Sequence, residues 1–273
     1  MGLILRDFKP VGADVEFSNY NLSSYRENDK KDNYILFKNF FNICDRIGLI
    51  YHLNKSKLFF ISQLLIMQNH PDPETLYPIE GVTRTFFLKK INHPQICMGD
   101  YTYYDDLDDP NSFEKNVLYL FDFMKDKLII GKFCQLATGI RFIMNGSNHA
   151  MNSISTYPFK IFGKSWASTS LDVVSKGDTV IQNDVWIGNS TTIMQGIRVG
   201  NGAIIGTQSL VTKNIGPYEI WGGNPAQLIR KRFDQDTINF LLELAWWNWP
   251  IDKITLHLNA ITSGDIKKLR TLI

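Results

Sequence analysis

Cysteine, net charge and long apolar runs are all scarce in this chain. Three cysteines in 273 residues (Cys44, Cys97, Cys134) are odd in number and lack metal-ligand spacing. This argues against a disulfide framework and against a metal site. The 29 Lys and Arg against 27 Asp and Glu leave a formal charge of +2. That is too balanced for a nucleic-acid partner or an anionic membrane surface. The longest apolar stretch, Leu58 to Met67, is too short to cross a bilayer. Met1-Gly-Leu-Ile-Leu-Arg-Asp7 lacks the charged segment and apolar run of a signal peptide, so a cytoplasmic protein is expected. The chain is 44% hydrophobic and long enough to bury a core without staples.

Three unequal parts are expected. Residues 1–71 form a helical N-terminal extension: Ile35, Leu36, Phe40, Ile43, Ile47 and Ile50 recur at helical steps, and a second helix follows Ser56 until His70-Pro-Asp-Pro73 stops it. Residues 72–216 hold a repeat. Residues 217–273 leave it through Trp221-Gly-Gly-Asn-Pro-Ala226 and predict a C-terminal helical segment, with a helix from Asp234 to about Trp247 and a short one from Asp252.

The repeat has a period of six. Ile181, Ile187, Ile193, Val199, Ile205 and Val211 are aliphatic, and four residues after each stand Val185, Thr191, Ile197, Ala203, Ser209 and Ile215. Glycine follows the aliphatic position at Gly188, Gly200 and Gly206, and Ile130-Gly131 and Leu136 keep an earlier pair of repeats. This period fits neither a helix nor an antiparallel meander. It fits a mainly β chain wound as a parallel β-helix, with one aliphatic side chain per short strand filling a triangular interior and glycine relieving the turns. The period breaks twice, from about Asp105 to Lys127 and between Phe142 and Ile181, where 39 residues are not a multiple of six. Long excursions from a rigid scaffold tend to carry sites. The second holds His149, the one histidine between Ile130 and Ile215. An imidazole is the usual general base at neutral pH, although a lone histidine is often a plain surface residue.

From Tyr77 onward the chain resembles the xenobiotic acetyltransferases of the hexapeptide-repeat superfamily, the streptogramin A (virginiamycin) branch above all. The resemblance rests on Gly99-Asp-Tyr-Thr-Tyr-Tyr-Asp105, Phe142-Ile-Met-Asn-Gly-Ser-Asn-His149, Ser155-Thr-Tyr-Pro-Phe159, Asn183-Asp-Val-Trp-Ile-Gly188, Gly222-Gly-Asn-Pro-Ala226 and Trp246-Trp-Asn-Trp-Pro-Ile251, in family order. It implies a left-handed β-helix with a long active-site loop, a homotrimer with sites between subunits, and acetyl transfer from acetyl-CoA as cosubstrate to a hydroxyl of a small acceptor. His149 is then the general base. Tyr103, Tyr104, Asp105, Phe121 and Trp186 are expected at the acceptor, with Phe121 standing where streptogramin enzymes often carry tyrosine. Gly206, Thr207, Thr212, Lys213, Arg230 and Lys231 are expected at the cofactor, the cations serving the phosphates. No metal is implied. Gln182 and Gln208 depart from the family pattern.

Two other readings keep the fold. One is an acetyltransferase acting on a sugar or cell-surface glycan hydroxyl; the other is a non-catalytic trimeric β-helix that binds a partner. The extension would cap the first coil, add to the trimer contact or cover the acceptor pocket.

Overall fold

The computed structural model describes residues 70–107, 110–170 and 174–271. The helices expected within 1–71 lie outside the described residues. Short strands follow one another in groups of three. β1 (Thr85–Phe87) leads; β2 (Ile96–Met98), β3 (Tyr103–Asp105) and β4 (Val117–Leu118) make the first coil. β5 (Leu128–Ile130), β6 (Gln135–Leu136) and β7 (Arg141–Ile143) make the second, and β8 (Thr179–Ile181), β9 (Trp186–Ile187) and β10 (Thr192–Ile193) the third. β11 (Arg198–Val199), β12 (Ile204–Ile205) and β13 (Leu210–Val211) complete the fourth. From β2 to β10 each strand pairs in parallel with the strand three places on, so the stack has three faces. Sheet I is β2-β5-β8-β11 and sheet III is β4-β7-β10-β13. Sheet II runs β1-β3-β6-β9-β12-β14-β15, closed by β14 (Glu219–Gly223) and the antiparallel β15 (Ala226–Lys231).

The period of six is the interior. Ile181, Ile187, Ile193, Val199, Ile205 and Val211 are at most 1% exposed, and each such burial contributes roughly 1.5–3 kcal/mol. The second position of each repeat is buried as well. Where it is polar it is satisfied: Thr191 and Ser209 both donate their hydroxyls to the Gly206 carbonyl, at 3.0 and 2.6 Å.

Three details differ from the sequence reading. Asp105 to Lys127 is not a single excursion, because Val117–Leu118 re-enters the coil and pairs with Phe142 and Ile143. The stack also runs past residue 216: β14 pairs in parallel with β12 through Ile204↔Ile220 and Ile205↔Trp221. Finally, the glycines after the aliphatic position at 131, 188 and 200 are there for close approach, whereas Gly206 has room for a Cβ. A Cβ on Gly188 would lie 2.7 Å from the Thr207 nitrogen of the next coil. The positive φ falls two residues later, at Phe133, Asp184, Ser190, Gly202 and Gln208.

One column of these corners, between sheets I and II, seats the C-terminal part. Tyr101, Phe133, Asp184 and Tyr218 each stand there at positive φ, an uncommon state for bulky side chains that neighbouring packing must stabilise. Tyr101 stacks on Phe133 with centroids 4.9 Å apart, Phe133 meets Trp246 at 4.9 Å, and Tyr218 meets Phe233 edge-on at 5.8 Å. α1 (Gln235–Leu244) starts on Asp234, whose carboxylate accepts from the Thr237 N–H at 2.8 Å. A 3₁₀ turn (Trp246–Asn248) ends it, and α2 (Ile251–Ser263) and α3 (Ile266–Arg270) follow. Ile238, Leu241, Leu244, Trp247, Ala260 and Leu269 form their own small core. Among the described residues no helix is long and apolar enough to cross a membrane.

Candidate active site

Outward side chains of sheet II stand in register: Tyr103 on β3 is level with Gln135 on β6, and Gln135 with Trp186 on β9. Together with Ile79, Arg84 and Phe87 they line an open, mainly apolar hollow of about 700 Å³. Trp186 is half exposed over it. Burial, and the nearby negative charge of Asp105, raise the Tyr103 phenol above its usual value, so it stays a hydrogen-bond donor at neutral pH. At the rim Arg84 grips Asp105 with two parallel hydrogen bonds of 2.7 and 2.6 Å, and Thr85 adds a third at 3.0 Å. These bonds hold the Asp105 carboxyl below the usual carboxylate range. Arg84 was not legible as a site residue, because its role depends on β1 pairing antiparallel to β3 so that Thr85 lies opposite Asp105.

Strand alternation sends Tyr104 the other way. It is fully buried between Phe86 and Phe113, its hydroxyl donating to the Asp106 carboxylate and accepting from Asn116 Nδ2 at 2.9 Å. Burial, then the Asp106 bond, push its phenol up to about 12. It therefore belongs to the interior of the stack, not to the hollow. Phe121 is exposed, stacked on Phe123 at 5.3 Å, and its ring abuts Gly146 in the turn that precedes His149. A Cβ at Gly146 would strike that ring and the Tyr119 carbonyl.

His149 lies on the segment that leaves sheet III after β7 and returns at β8. Its Nδ1 is 2.7 Å from the Thr156 carbonyl oxygen. A carbonyl only accepts, so Nδ1 carries the proton and the lone pair sits on Nε2. The imidazole is exposed and is not among the residues of the hollow. The root of the segment is pinned by buried amides. Asn145 donates to Asp126 and to the Gly177 carbonyl at 2.8 Å each, and accepts from the Lys176 N–H at 2.8 Å. Asn148 donates to the Val174 carbonyl at 2.8 Å and accepts from Gln195. Beyond His149, Tyr157, Phe159, Phe162 and Trp166 form an exposed aromatic cluster, with Tyr157 stacked on Phe162 at 5.2 Å and Phe159 edge-on to Trp166 at 5.3 Å.

The residues expected at a cofactor are spread over separate strands. Gly206 follows β12, and Thr207 donates its hydroxyl to the Asn189 carbonyl at 2.8 Å. Thr212 and Lys213 are exposed beyond β13, on sheet III. Arg230 and Lys231 are exposed in β15, on sheet II, with Lys231 donating to Gln235 at 2.8 Å. Arg232 does not join them. It turns inward, donating to the Gly202 carbonyl at 2.6 Å, stacking over Tyr218 and standing 3.8 Å from Asp184. Among the described residues no group of three or more His, Cys, Asp or Glu side chains is placed to hold a metal ion.

A stack of three-strand coils with a histidine-bearing segment defines a class before it defines a family. Residues 178–213 match the family model described as bacterial transferase hexapeptide (six repeats). The probable macrolide acetyltransferase of Lysinibacillus sphaericus is 50% identical over 162 residues, covering 58% of this chain and 90% of that one. The virginiamycin A acetyltransferase of Staphylococcus aureus is 47% identical over 204 residues, 73% of this chain and 92% of that one. The chloramphenicol acetyltransferase of Agrobacterium fabrum is 43% identical over 196 residues, 70% of this chain and 92% of that one. The chain is a hexapeptide-repeat acetyltransferase and belongs to the xenobiotic acetyltransferase family.

Proposed function

We propose that this enzyme transfers an acetyl group from acetyl-CoA to a hydroxyl of a streptogramin A-like antibiotic, with His149 as general base. The observation that carries the reading is the Nδ1–H to Thr156 carbonyl bond of 2.7 Å, which leaves Nε2 free to take a proton. Nε2 removes the acceptor hydroxyl proton as that oxygen attacks the thioester carbonyl. The tetrahedral intermediate then collapses, and the departing thiolate takes the proton back from the imidazolium. A backbone N–H or the Trp186 indole would donate to the oxyanion. Transfer is direct, without an acyl-enzyme.

Tyr103, Asp105, Phe121 and Trp186 would meet the acceptor, and the apolar lining of the hollow favours a large, weakly polar molecule over a sugar or glycan. Gly206, Thr207, Thr212, Lys213, Arg230 and Lys231 would meet acetyl-CoA, exposed cations holding its phosphates. His149 hangs from sheet III and the hollow opens on sheet II, so one chain leaves them on different faces. A left-handed stack assembled as a homotrimer would bring one subunit's histidine to its neighbour's hollow, and ring closure would cover the repeated faces. In this reading residues 1–71 are a helical extension, 72–216 the coil and 217–273 the C-terminal segment, in a cytoplasmic protein.

Thiol release from acetyl-CoA, measured with a virginiamycin-type acceptor, a macrolide, chloramphenicol and simple sugars, tests this reading. Turnover of the first by wild type and its loss in His149→Ala is the expected result. Turnover of a sugar alone would overturn the acceptor. Equal rates for wild type and His149→Ala would overturn the base.

A further inference from the structure

We infer that Asp126 is a positioning residue for the acetyl transfer: through Asn145 it clasps the root of the segment that carries His149. The inference rests on the reading of His149 as the base. Asp126 lies just before β5, and its side chain is 4% exposed. Its Oδ2 accepts from both the main-chain N–H and the Nδ2 of Asn145, at 3.3 and 2.8 Å. Asn145 is itself fully buried and also bonds the returning end of the same excursion, at Gly177 and Lys176. The two ends of the excursion are thus tied to one amide, and that amide is held by the Asp126 carboxylate.

From that knot the order passes along the chain to the imidazole. The Asn148 N–H donates to the Asn145 carbonyl at 3.0 Å, and its side-chain amide reaches Asn145 Oδ1 at 3.3 Å. His149 follows directly, its ring held at the far side by Thr156. Packing does not account for a carboxylate here. Asp126 Oδ1 is buried with no hydrogen-bond partner among the described residues, an arrangement that costs stability. An aliphatic side chain would fill the place without that cost. What it would not do is accept two bonds from Asn145.

The test uses the full-length protein with Asp126→Leu and Asp126→Asn. Thiol release with the acceptor that wild type turns over gives kcat and KM, thermal unfolding gives stability, and ¹⁵N shifts of the His149 ring give the tautomer. Asp126→Leu is expected to lower kcat about 10- to 100-fold, as a small misplacement of a reacting group does. KM for acetyl-CoA should stay within about threefold and the ring should lose its fixed Nδ1–H tautomer. The melting temperature should fall, because the main-chain N–H and one Nδ2 hydrogen of buried Asn145 lose their acceptor, and the assays are run below it. Asp126→Asn keeps a carbonyl oxygen for Asn145 and should retain the tautomer and most of kcat. A folded Asp126→Leu with wild-type kcat, or with the Nδ1–H tautomer intact, overturns the clasp. If His149→Ala turns over like wild type, the base reading falls instead, and the ring shifts of the Asp126 variants still decide the clasp.

Discussion

The coil stack and the excursion after β7 share one chain but are held by opposite means. In the stack, apolar side chains point inward at every sixth residue, and the polar ones that accompany them find a main-chain carbonyl, Thr191 in the next coil and Ser209 in its own. In the excursion, the buried contacts are amides and a carboxylate at the root, while Tyr157, Phe159, Phe162 and Trp166 lie exposed beyond it. A period can specify the first arrangement, because each rung repeats the environment of the last. Directed hydrogen bonds must specify the second, since there is no interior for it to fill. Substitutions in the stack should therefore change stability and spare the chemistry, and substitutions in the excursion should do the reverse.

The sharpest probe of that division is His149→Ala. The rate should fall by about two to four orders of magnitude, the range for removal of a general base. Because the ring is exposed, unfolding free energy should move by no more than about 0.5 kcal/mol. Turnover assays beside urea denaturation of the same preparation would show both; a large stability loss would mean that the excursion is built like the stack. Ile187→Ala is the mirror experiment. The side chain is fully buried, so truncation should cost about 2–5 kcal/mol of stability. At a temperature where the variant is still folded, its kcat should remain near wild type. A matching collapse of kcat would erase the distinction.

Asp184 tests whether the stack tolerates a charge. It stands at a positive-φ corner, largely buried, with Arg232 3.8 Å away. Burial raises its carboxyl from an ordinary value of 3.8 to about 6, with Arg232 and Gln135 only partly opposing that shift. The sign follows from which state ionises first. Below about 3.8 the group is protonated in both folded and unfolded chains. Between about 3.8 and 6 the unfolded chain ionises first, so this contribution to stability falls as pH rises and is fully lost above about 6. Relative to Asp184→Asn, wild type should lose on the order of 2–3 kcal/mol between pH 4 and pH 7. Carboxyls held low, such as Asp105, are common to both proteins and cancel. Urea midpoints at the two pH values measure the difference, and a gap independent of pH would refute the assignment.

The stack was legible in the sequence because its signal is local and repeated: Ile181 to Val211 named the interior residue by residue. The third strand of the first coil, Val117–Leu118, was not, since two residues between irregular segments carry no period. Trp186 and Tyr103 were readable as site candidates through family motifs, and they do share the hollow. Tyr104 was grouped with its neighbour because the motif reads Tyr-Tyr-Asp, but alternation along β3 sends consecutive side chains to opposite faces. Asp126 and Arg84 left no mark at all. Each acts through a partner 19 or 21 residues away, and only the folded chain brings such pairs together.

The smallest effect is expected from Trp166→Ala, and it bears most directly on the comparison. The indole is 46% exposed and touches the rest of its cluster edge-on, with Phe159 at 5.3 Å. An aromatic pair of this kind contributes about 0.5–1.5 kcal/mol, and partial exposure lowers its share. Truncation should therefore cost about 1 kcal/mol or less, against the several lost at Ile187 in the stack. The comparison is to be made in a concentration series, because a copy seated on these rings would add binding energy to the apparent stability. At low protein concentration the cost should stay near 1 kcal/mol. A loss as large as that at Ile187 in dilute protein would mean that the aromatic cluster is a core in its own right, and that the two regions are not held by opposite means.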